Sequence, residues 1–414
     1  MTNDDGDRPS GQRTITQGRA HHRVPRPPAA LAVVLCSLLV LAGCASRGPG
    51  SADAAASSAP AAVTATRSAA PAGELPAELG AELEQALTET MAEYDVPGAA
   101  VGVWVPGAGS WTTAAGLADV EEGVAATTEM TWPLRSVTKS YTVTLLLQLV
   151  DEGRLSLDDT IDDYVSGVTD GGEITLRQLA DMSSGNADYT NENFLKAYSE
   201  DPATIFTLEQ LNGFMLGEPA RFAPGTEKVY TNANTNLLGA VIEAVTGEPF
   251  DQVLQERILD PLGQTGTHYL TDVTDWTEPH PAGYIVEDGV PVAQEQNPSI
   301  FQAAGSMFTT LDDARVWAET LGDGALLSQG LQRLREQGAP LDEGPPYDLY
   351  ALGIGETDGW WGHNGEGIGF TAAVFHDPAS GASIAVFMNE SNVPDVHPAD
   401  ATFRRFAEIL GAAQ

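Results

Sequence analysis

Leu79, Leu83, Leu87, Met91 and Tyr94 recur at helical spacing with polar residues between them. This is the pattern of a helix with one buried face, ended before Pro97. Two short apolar runs follow, 99–105 and 111–115, on either side of Pro106-Gly107-Ala108-Gly109, and they predict a hairpin. From Ser136 to Asp151 apolar positions become dense, with Leu145, Leu146, Leu147 and Leu149 together. That stretch predicts a long buried helix stopped by Gly153. Residues 150–300 read as helices and long loops rich in Gly, Pro and Asp. Strand character returns at 350–354, 369–376 and 384–388, and a last helix is predicted over 399–410. The order predicts an α/β fold in which an antiparallel sheet carries the N- and C-terminal helices and an all-helical lobe is inserted.

The start of the chain follows a different pattern. Arg19, Arg23 and Arg26 precede an apolar stretch from Ala29 to Val40 broken only by Ser37. The stretch is too short to span a bilayer comfortably and reads as the apolar part of a signal segment. It ends in Leu41-Ala42-Gly43-Cys44, which resembles a bacterial lipoprotein cleavage site with Cys44 as the lipidated new N-terminus. Residues 45–74 are almost entirely Ala, Ser, Pro, Gly and Thr, a composition that cannot bury a core and predicts a flexible tether. The expected division is a signal peptide over 1–43, a tether over 44–74 and a folded domain over 75–414. The expected location is the outer face of the cell membrane, with a lipid anchor at Cys44.

Composition narrows the chemistry. The chain has 414 residues, 42% of them hydrophobic, enough for a large core. Its formal net charge is −38, which excludes nucleic acid as a partner and disfavours anionic substrates. Cys36 and Cys44 are the cysteines, and Cys36 lies in the segment expected to be removed, so the mature fold is expected to hold no disulfide and no cysteine metal site. The histidines show no metal-ligand spacing, and no phosphate loop or Gly-x-Ser-x-Gly elbow is present, so no metal and no cofactor is expected.

Three short motifs carry candidate chemistry. The lysines are Lys139, Lys196 and Lys228, and Lys139 stands three residues after Ser136. On a helix those two share a face. A serine hydroxyl is a weak nucleophile that needs a base within about 3 Å, and a lysine serves only if burial or nearby positive charge lowers its pKa. The second motif is Tyr230-Thr231-Asn232, read as an extended segment that turns Tyr230 and Asn232 to one side. A tyrosine hydroxyl can pass a proton to a leaving group, and an asparagine amide can orient a lysine and a substrate carbonyl. The third is His363-Asn364-Gly365 among glycines at 362, 365 and 367, which let a backbone approach a ligand closely. A strand edge there can supply an oxyanion N–H.

In this order the motifs resemble the serine-active β-lactamase and penicillin-binding protein superfamily, in its branch of class C β-lactamases, D-alanyl-D-alanine carboxypeptidases and related esterases. The resemblance covers about residues 85–410 and takes in the stretches 148–159, 174–179, Ser183-Ser184-Gly185, 239–247 and 303–306. It implies the class C β-lactamase-like fold, acylation of Ser136, proton handling by Lys139 and Tyr230, and substrate binding by Asn232, His363 and Gly365. It implies an oxyanion hole from the backbone N–H groups of Ser136 and Glu366. His363 stands where many members of the superfamily have lysine.

Two departures bear on substrate charge. Secreted carboxypeptidases of this branch usually place an arginine after the strand here ending at Ile354, where this chain has Gly355-Glu356. They also tend to have a small hydroxyl residue where this chain has Glu366. The resemblance implies a D-alanyl-D-alanine carboxypeptidase-like peptidase on peptidoglycan peptides, with β-lactams as covalent ligands. The alternatives are an esterase, amidase or weak β-lactamase on small neutral substrates, and a non-catalytic penicillin-binding lipoprotein. Arg221 and Arg315 are the candidates for holding a substrate carboxylate.

Overall fold

The computed structural model describes residues 67–413. The expected signal peptide over 1–43 and the lipidation site Cys44 lie outside the described residues.

The apolar runs pair into one antiparallel sheet. Its strands are β1 (Gly98–Val105), β2 (Gly109–Asp119), β3 (Val124–Ala125), β4 (Leu349–Tyr350), β5 (Gly355–Thr357), β6 (Trp360–Gly367), β7 (Phe370–His376) and β8 (Ser383–Met388). They lie side by side in the order β3-β2-β1-β8-β7-β6-β5-β4. The first and last strands of the chain's two halves meet at the centre, where Ala99 pairs with Met388 and Trp104 with Ser383.

Side chains alternate between the faces of a strand. Val101, Val103, Phe375, Ile384 and Val386 bury one face against α1 (Ala77–Glu93) and the C-terminal helix, through Leu83, Leu87, Phe403 and Phe406. Ala100, Ala372, Val374, Ala385 and Phe387 bury the other face in the larger core, with Trp317 and Leu321. Helices therefore cover both faces, which is why β7 and β8 read as continuous apolar runs without a polar alternation.

The insertion between β3 and β4 builds the second part of the domain. It contains α2 (Thr138–Asp151), α3 (Asn232–Thr246) and α4 (Leu311–Asp323), and α5 (Pro398–Ala412) closes the chain after β8. The insertion is not all helix. A hairpin, Gly283–Glu287 with Val290–Gln294, turns at Asp288-Gly289, both with positive φ. That dipeptide favours the tight hairpin turn.

Two further boundaries differ from the sequence reading. The stretch 350–354 is not one strand: it breaks at Gly353, whose N–H donates to Ala180 at 3.0 Å and whose φ is +71°. The segment expected as tether up to residue 74 is docked at its end. Arg67 pairs with Asp313 at 2.6 Å, Ser68 accepts from Arg315, and Leu75 donates to the Ser110 carbonyl.

Candidate active site

Ser136 is presented by a bend rather than by the first turn of the helix. Residues Arg135–Val137 form a 3-10 turn and α2 begins at Thr138. Arg135 holds a φ of +49°, an unfavourable conformation for a side chain with a Cβ, immediately before the candidate nucleophile. Its buried side chain keeps it there. Nε donates to the Gly367 carbonyl at 2.9 Å, and the guanidinium lies over Phe301 and Phe370 at 5.0 and 5.5 Å. The Ser136 turn is thereby tied to the end of β6.

Lys139 is wholly buried one helical turn after Ser136. Its Nζ lies 2.9 Å from Ser136 Oγ, 2.6 Å from Asn232 Oδ1 and 3.0 Å from the Ala304 carbonyl oxygen. Burial lowers its pKa to about 7, against an opposing pull from Asp188. A neutral amine has two N–H donors and one lone pair. The amide oxygen of Asn232 and the carbonyl of Ala304 can only accept, so they take the two donors. The lone pair then faces the Ser136 hydroxyl, which donates to it.

Tyr230 and Asn232 converge on this point from two different elements, not from one extended segment. Asn232 is the first residue of α3, whose N-cap is Thr231. Asp188 holds that end, its Oδ2 accepting from the Asn232 N–H at 2.8 Å and from the Thr231 hydroxyl at 2.5 Å. Tyr230 ends the preceding loop, where its N–H donates to Glu343. Its hydroxyl shares the cleft wall with Ser136, and burial pushes its pKa well above the usual tyrosine value, with Ser136 pulling the other way. Tyr230 is thus a neutral hydroxyl at neutral pH, and Lys139 is the group poised to act as base.

His363 is behind the site rather than in it. It is fully buried and does not line the cleft. Its Nδ1 lies 2.5 Å from the Asn364 carbonyl oxygen, an obligate acceptor, so Nδ1 carries the proton and Nε2 accepts. The hydroxyls of Tyr350 and Tyr230 stand 3.3 and 3.5 Å from Nε2. Burial, with the Lys139 charge adding to it, lowers the His363 pKa to about 3, so the ring is neutral at working pH. It meets the cleft through two lining residues, Tyr230 and Asn364.

Gly365 brings β6 against the nucleophile. A Cβ on it would lie 2.3 Å from the Leu134 carbonyl oxygen and 2.8 Å from Ser136 N, so any larger residue would force strand and turn apart. Along a strand, N–H groups alternate in direction. The Asn364 N–H donates away from β7, to the Tyr347 hydroxyl at 2.8 Å. Glu366, two residues on, therefore turns its N–H the same way, to the side of the cleft.

The cleft has a volume of about 700 Å³, and Ser136, Tyr230, Asn232, Gly365 and Glu366 lie in its wall. Its charged lining is Glu366, Asp395, Asp400 and Arg404. Arg404 is engaged, with Nε donating to Asp400 at 2.6 Å and a terminal nitrogen to the Pro346 carbonyl at 2.7 Å. The Glu366 carboxylate is pinned by the Asn392 N–H at 2.9 Å. Neither departure at 355–356 enters the cleft: Gly355 is covered by the Tyr347 ring, and Glu356 accepts from Gly359. Nor do the candidate carboxylate binders, since Arg221 pairs with Glu343 at 2.9 Å and Arg315 is buried against Asp312 and Glu319. Among the described residues, no group of three or more His, Cys, Asp or Glu is placed to hold a metal ion.

The motif reading did not assign roles to Asp188, the Ala304 carbonyl, Tyr347, Tyr350 or Arg404. Ala304 had a signal, since it lies in the stretch 303–306 that the resemblance takes in. The others are placed by chain segments remote from the motifs.

Comparison with known proteins places this geometry. The family model described as Beta-lactamase matches residues 83–408. Protein flp of Staphylococcus aureus is 27% identical over 246 residues, covering 56% of this chain and 48% of that protein. The D-aminopeptidase of Brucella anthropi is 29% identical over 309 residues, covering 73% of this chain and 58% of that protein. The chain thus spans about half the length of these curated relatives. A solved structure, the D-stereospecific amidohydrolase from Streptomyces sp., superposes with a TM-score of 0.68 at 28% identity, covering 81% of this chain and 99% of that one.

Proposed function

The chain belongs to the beta-lactamase family, and from that premise we propose that it is a serine hydrolase working through an acyl-enzyme on Ser136. Its substrates are D-amino acid amides, esters and peptides; D-alanyl-D-alanine ends of wall peptides, which carry a free carboxylate, are the slower ones. The observation that carries the chemistry is the Lys139 amine, held by two obligate acceptors so that its lone pair meets the Ser136 hydroxyl at 2.9 Å. The D-configured amide is supported by the names of two of the similar proteins, a D-aminopeptidase and a D-stereospecific amidohydrolase.

The steps follow from the geometry. Ser136 Oγ attacks the scissile carbonyl carbon as its proton passes to Lys139 Nζ. The carbonyl oxygen becomes an oxyanion between the N–H groups of Ser136 and Glu366. Tyr230 gives its proton to the leaving nitrogen and is reprotonated from the Lys139 ammonium through the shared network. Water then attacks the ester, its proton returns to the network, and Ser136 leaves with a proton regained. His363 contributes a neutral acceptor that holds Tyr230 without adding positive charge.

Cleft charge narrows the substrate. Among the described residues, a terminal carboxylate near Glu366 finds no unpaired cation in the lining, since Arg404 is bound to Asp400. Two like charges about 6 Å apart at an effective dielectric of about 20 repel by roughly 3 kcal/mol, about a hundredfold in kcat/KM. This favours neutral esters and amides, the second reading of the sequence. The expected result is that the C-terminal amide and methyl ester of a D-alanyl-D-alanine peptide react about a hundredfold faster than the free acid, and that Glu366→Gln closes most of the gap. A wild-type protein that prefers the free acid by tenfold or more overturns this substrate assignment.

The location proposed is the outer face of the membrane, supported by the apolar run and the Leu41-Ala42-Gly43-Cys44 end. No helix among the described residues is long and apolar enough to cross a membrane. Full-length protein should partition into detergent, and Cys44→Ala should move it to the aqueous phase. A mature N-terminus mapped by mass spectrometry to a residue other than Cys44 refutes the anchor.

A further inference from the structure

His397 belongs to none of the motifs above, yet it reaches the backbone of the site. It is the N-cap residue of α5, and its Nδ1 accepts the Asp400 N–H at 3.1 Å. In a neutral imidazole the nitrogen that accepts carries no proton, so the proton is on Nε2. Nε2 lies 3.0 Å from the Gly365 carbonyl oxygen and donates to it. The helix cap thus selects the tautomer that the strand requires.

The Gly365 carbonyl is one end of a planar peptide whose other end is the Glu366 N–H. The two point in opposite directions. The carbonyl meets His397, and the N–H is turned to the cleft beside Ser136. We infer that His397 is a positioning residue for the oxyanion hole: its Nε2–H polarises the Gly365–Glu366 peptide, whose direction the pairing of Gly365 with Ala372 on β7 sets, and so strengthens the Glu366 N–H as a donor. The arrangement is a chain of hydrogen bonds running from ring to carbonyl, through the peptide, to the substrate oxyanion. Each bond in such a chain strengthens the next by about 10–30%. The gain grows as negative charge develops on the substrate oxygen, so it acts more on the transition state than on ground-state binding. The inference rests on the acyl-enzyme reading above.

The test separates the cap from the donor. Asparagine is a favoured N-cap residue, so His397→Asn keeps the start of α5, but its side chain is too short to reach Gly365. The probes are p-nitrophenyl acetate, for the rate of acylation, and phenylboronic acid, which forms a tetrahedral adduct on a serine oxygen. In the full-length protein, removing a direct oxyanion donor costs about 100-fold or more. Removing its polariser should cost about 10–30% of that in free energy, roughly two- to eightfold. Acylation rate and boronate affinity are expected to fall together by that factor, with KM for the ester and the thermal midpoint unchanged. The acyl-enzyme carbonyl band in the infrared is expected to shift to higher wavenumber. Should His397→Asn prove unstable, His397→Ser, another capping residue without the reach, carries the same expectation. Wild-type rates and affinity in the variant overturn the role of His397. So does a loss of rate that tracks a loss of thermal midpoint with the carbonyl band unmoved. Failure of the wild-type protein to form any Ser136 adduct overturns the acyl-enzyme reading and this inference with it.

Discussion

Ser136→Ala is expected to leave a folded protein that forms no covalent adduct with any substrate and loses turnover by at least about 10⁴-fold. In a covalent mechanism the nucleophile acts as a unit with its base, so its removal costs as much as removing the whole assembly, up to about 10⁶-fold. The fold should tolerate the change. The lost hydroxyl sits in a partly exposed 3-10 turn, and Lys139 retains Asn232 and Ala304 as acceptors. Arg135, bonded to Gly367 and stacked on Phe301 and Phe370, still fixes the turn. The measurement is intact mass after exposure to a penicillin and to p-nitrophenyl acetate, with circular dichroism as the check on folding. Wild-type protein should gain one acyl group and the variant none. Labelling of the alanine variant at the wild-type rate would sink the assignment of the nucleophile.

The second large effect belongs to Lys139. Lys139→Ala should slow acylation by about 10²–10⁴-fold, the usual worth of a positioned general base. It should also change the pH profile. The lysine must be neutral to accept the serine proton, and burial lowers its pKa to about 7. In the wild type, acylation should therefore fall as pH drops through about 7 and level off above it. His363, with its pKa lowered to about 3, and Tyr230, with its pKa raised, cannot produce that limb. The limb should vanish in Lys139→Ala. Lys139→Arg should not restore it, because a guanidinium stays protonated. A limb near neutrality that survives in Lys139→Ala would place the base elsewhere.

How far the site could be read in advance differs by residue. Ser136 and Lys139 were legible because their spacing makes them neighbours on any helix, and the 3-10 turn that leads into α2 keeps them neighbours, 2.9 Å apart. Tyr230 and Asn232 were legible as a pair, though the reason differs: the segment is not extended, and Asn232 is brought in by the N-terminus of α3 with Asp188 holding it. The place of His363 in a motif implies substrate binding. Its burial behind Tyr230 depends on Tyr347 and Tyr350, whose positions no local pattern reveals. Of the three residues that depart from the family pattern, Gly355, Glu356 and Glu366, only Glu366 lies in the cleft.

The fold divides in the same way. The chain itself determined where its helices and most strands lie, because helical spacing and apolar runs are local properties of neighbouring residues. It also determined that the sheet is buried on both faces, for β7 and β8 are apolar at successive positions. The Asp288-Gly289 turn was equally local, and its hairpin was available to be read. Tertiary structure alone decided what each local group meets. It set β8 beside β1, placed Gly365 against Ser136, enclosed Lys139 until its amine is half neutral near pH 7, and tied Arg404 to Asp400. Distance, burial and electrostatic field are properties of pairs far apart in the chain. Spacing along the sequence carries no information about them until the core has closed.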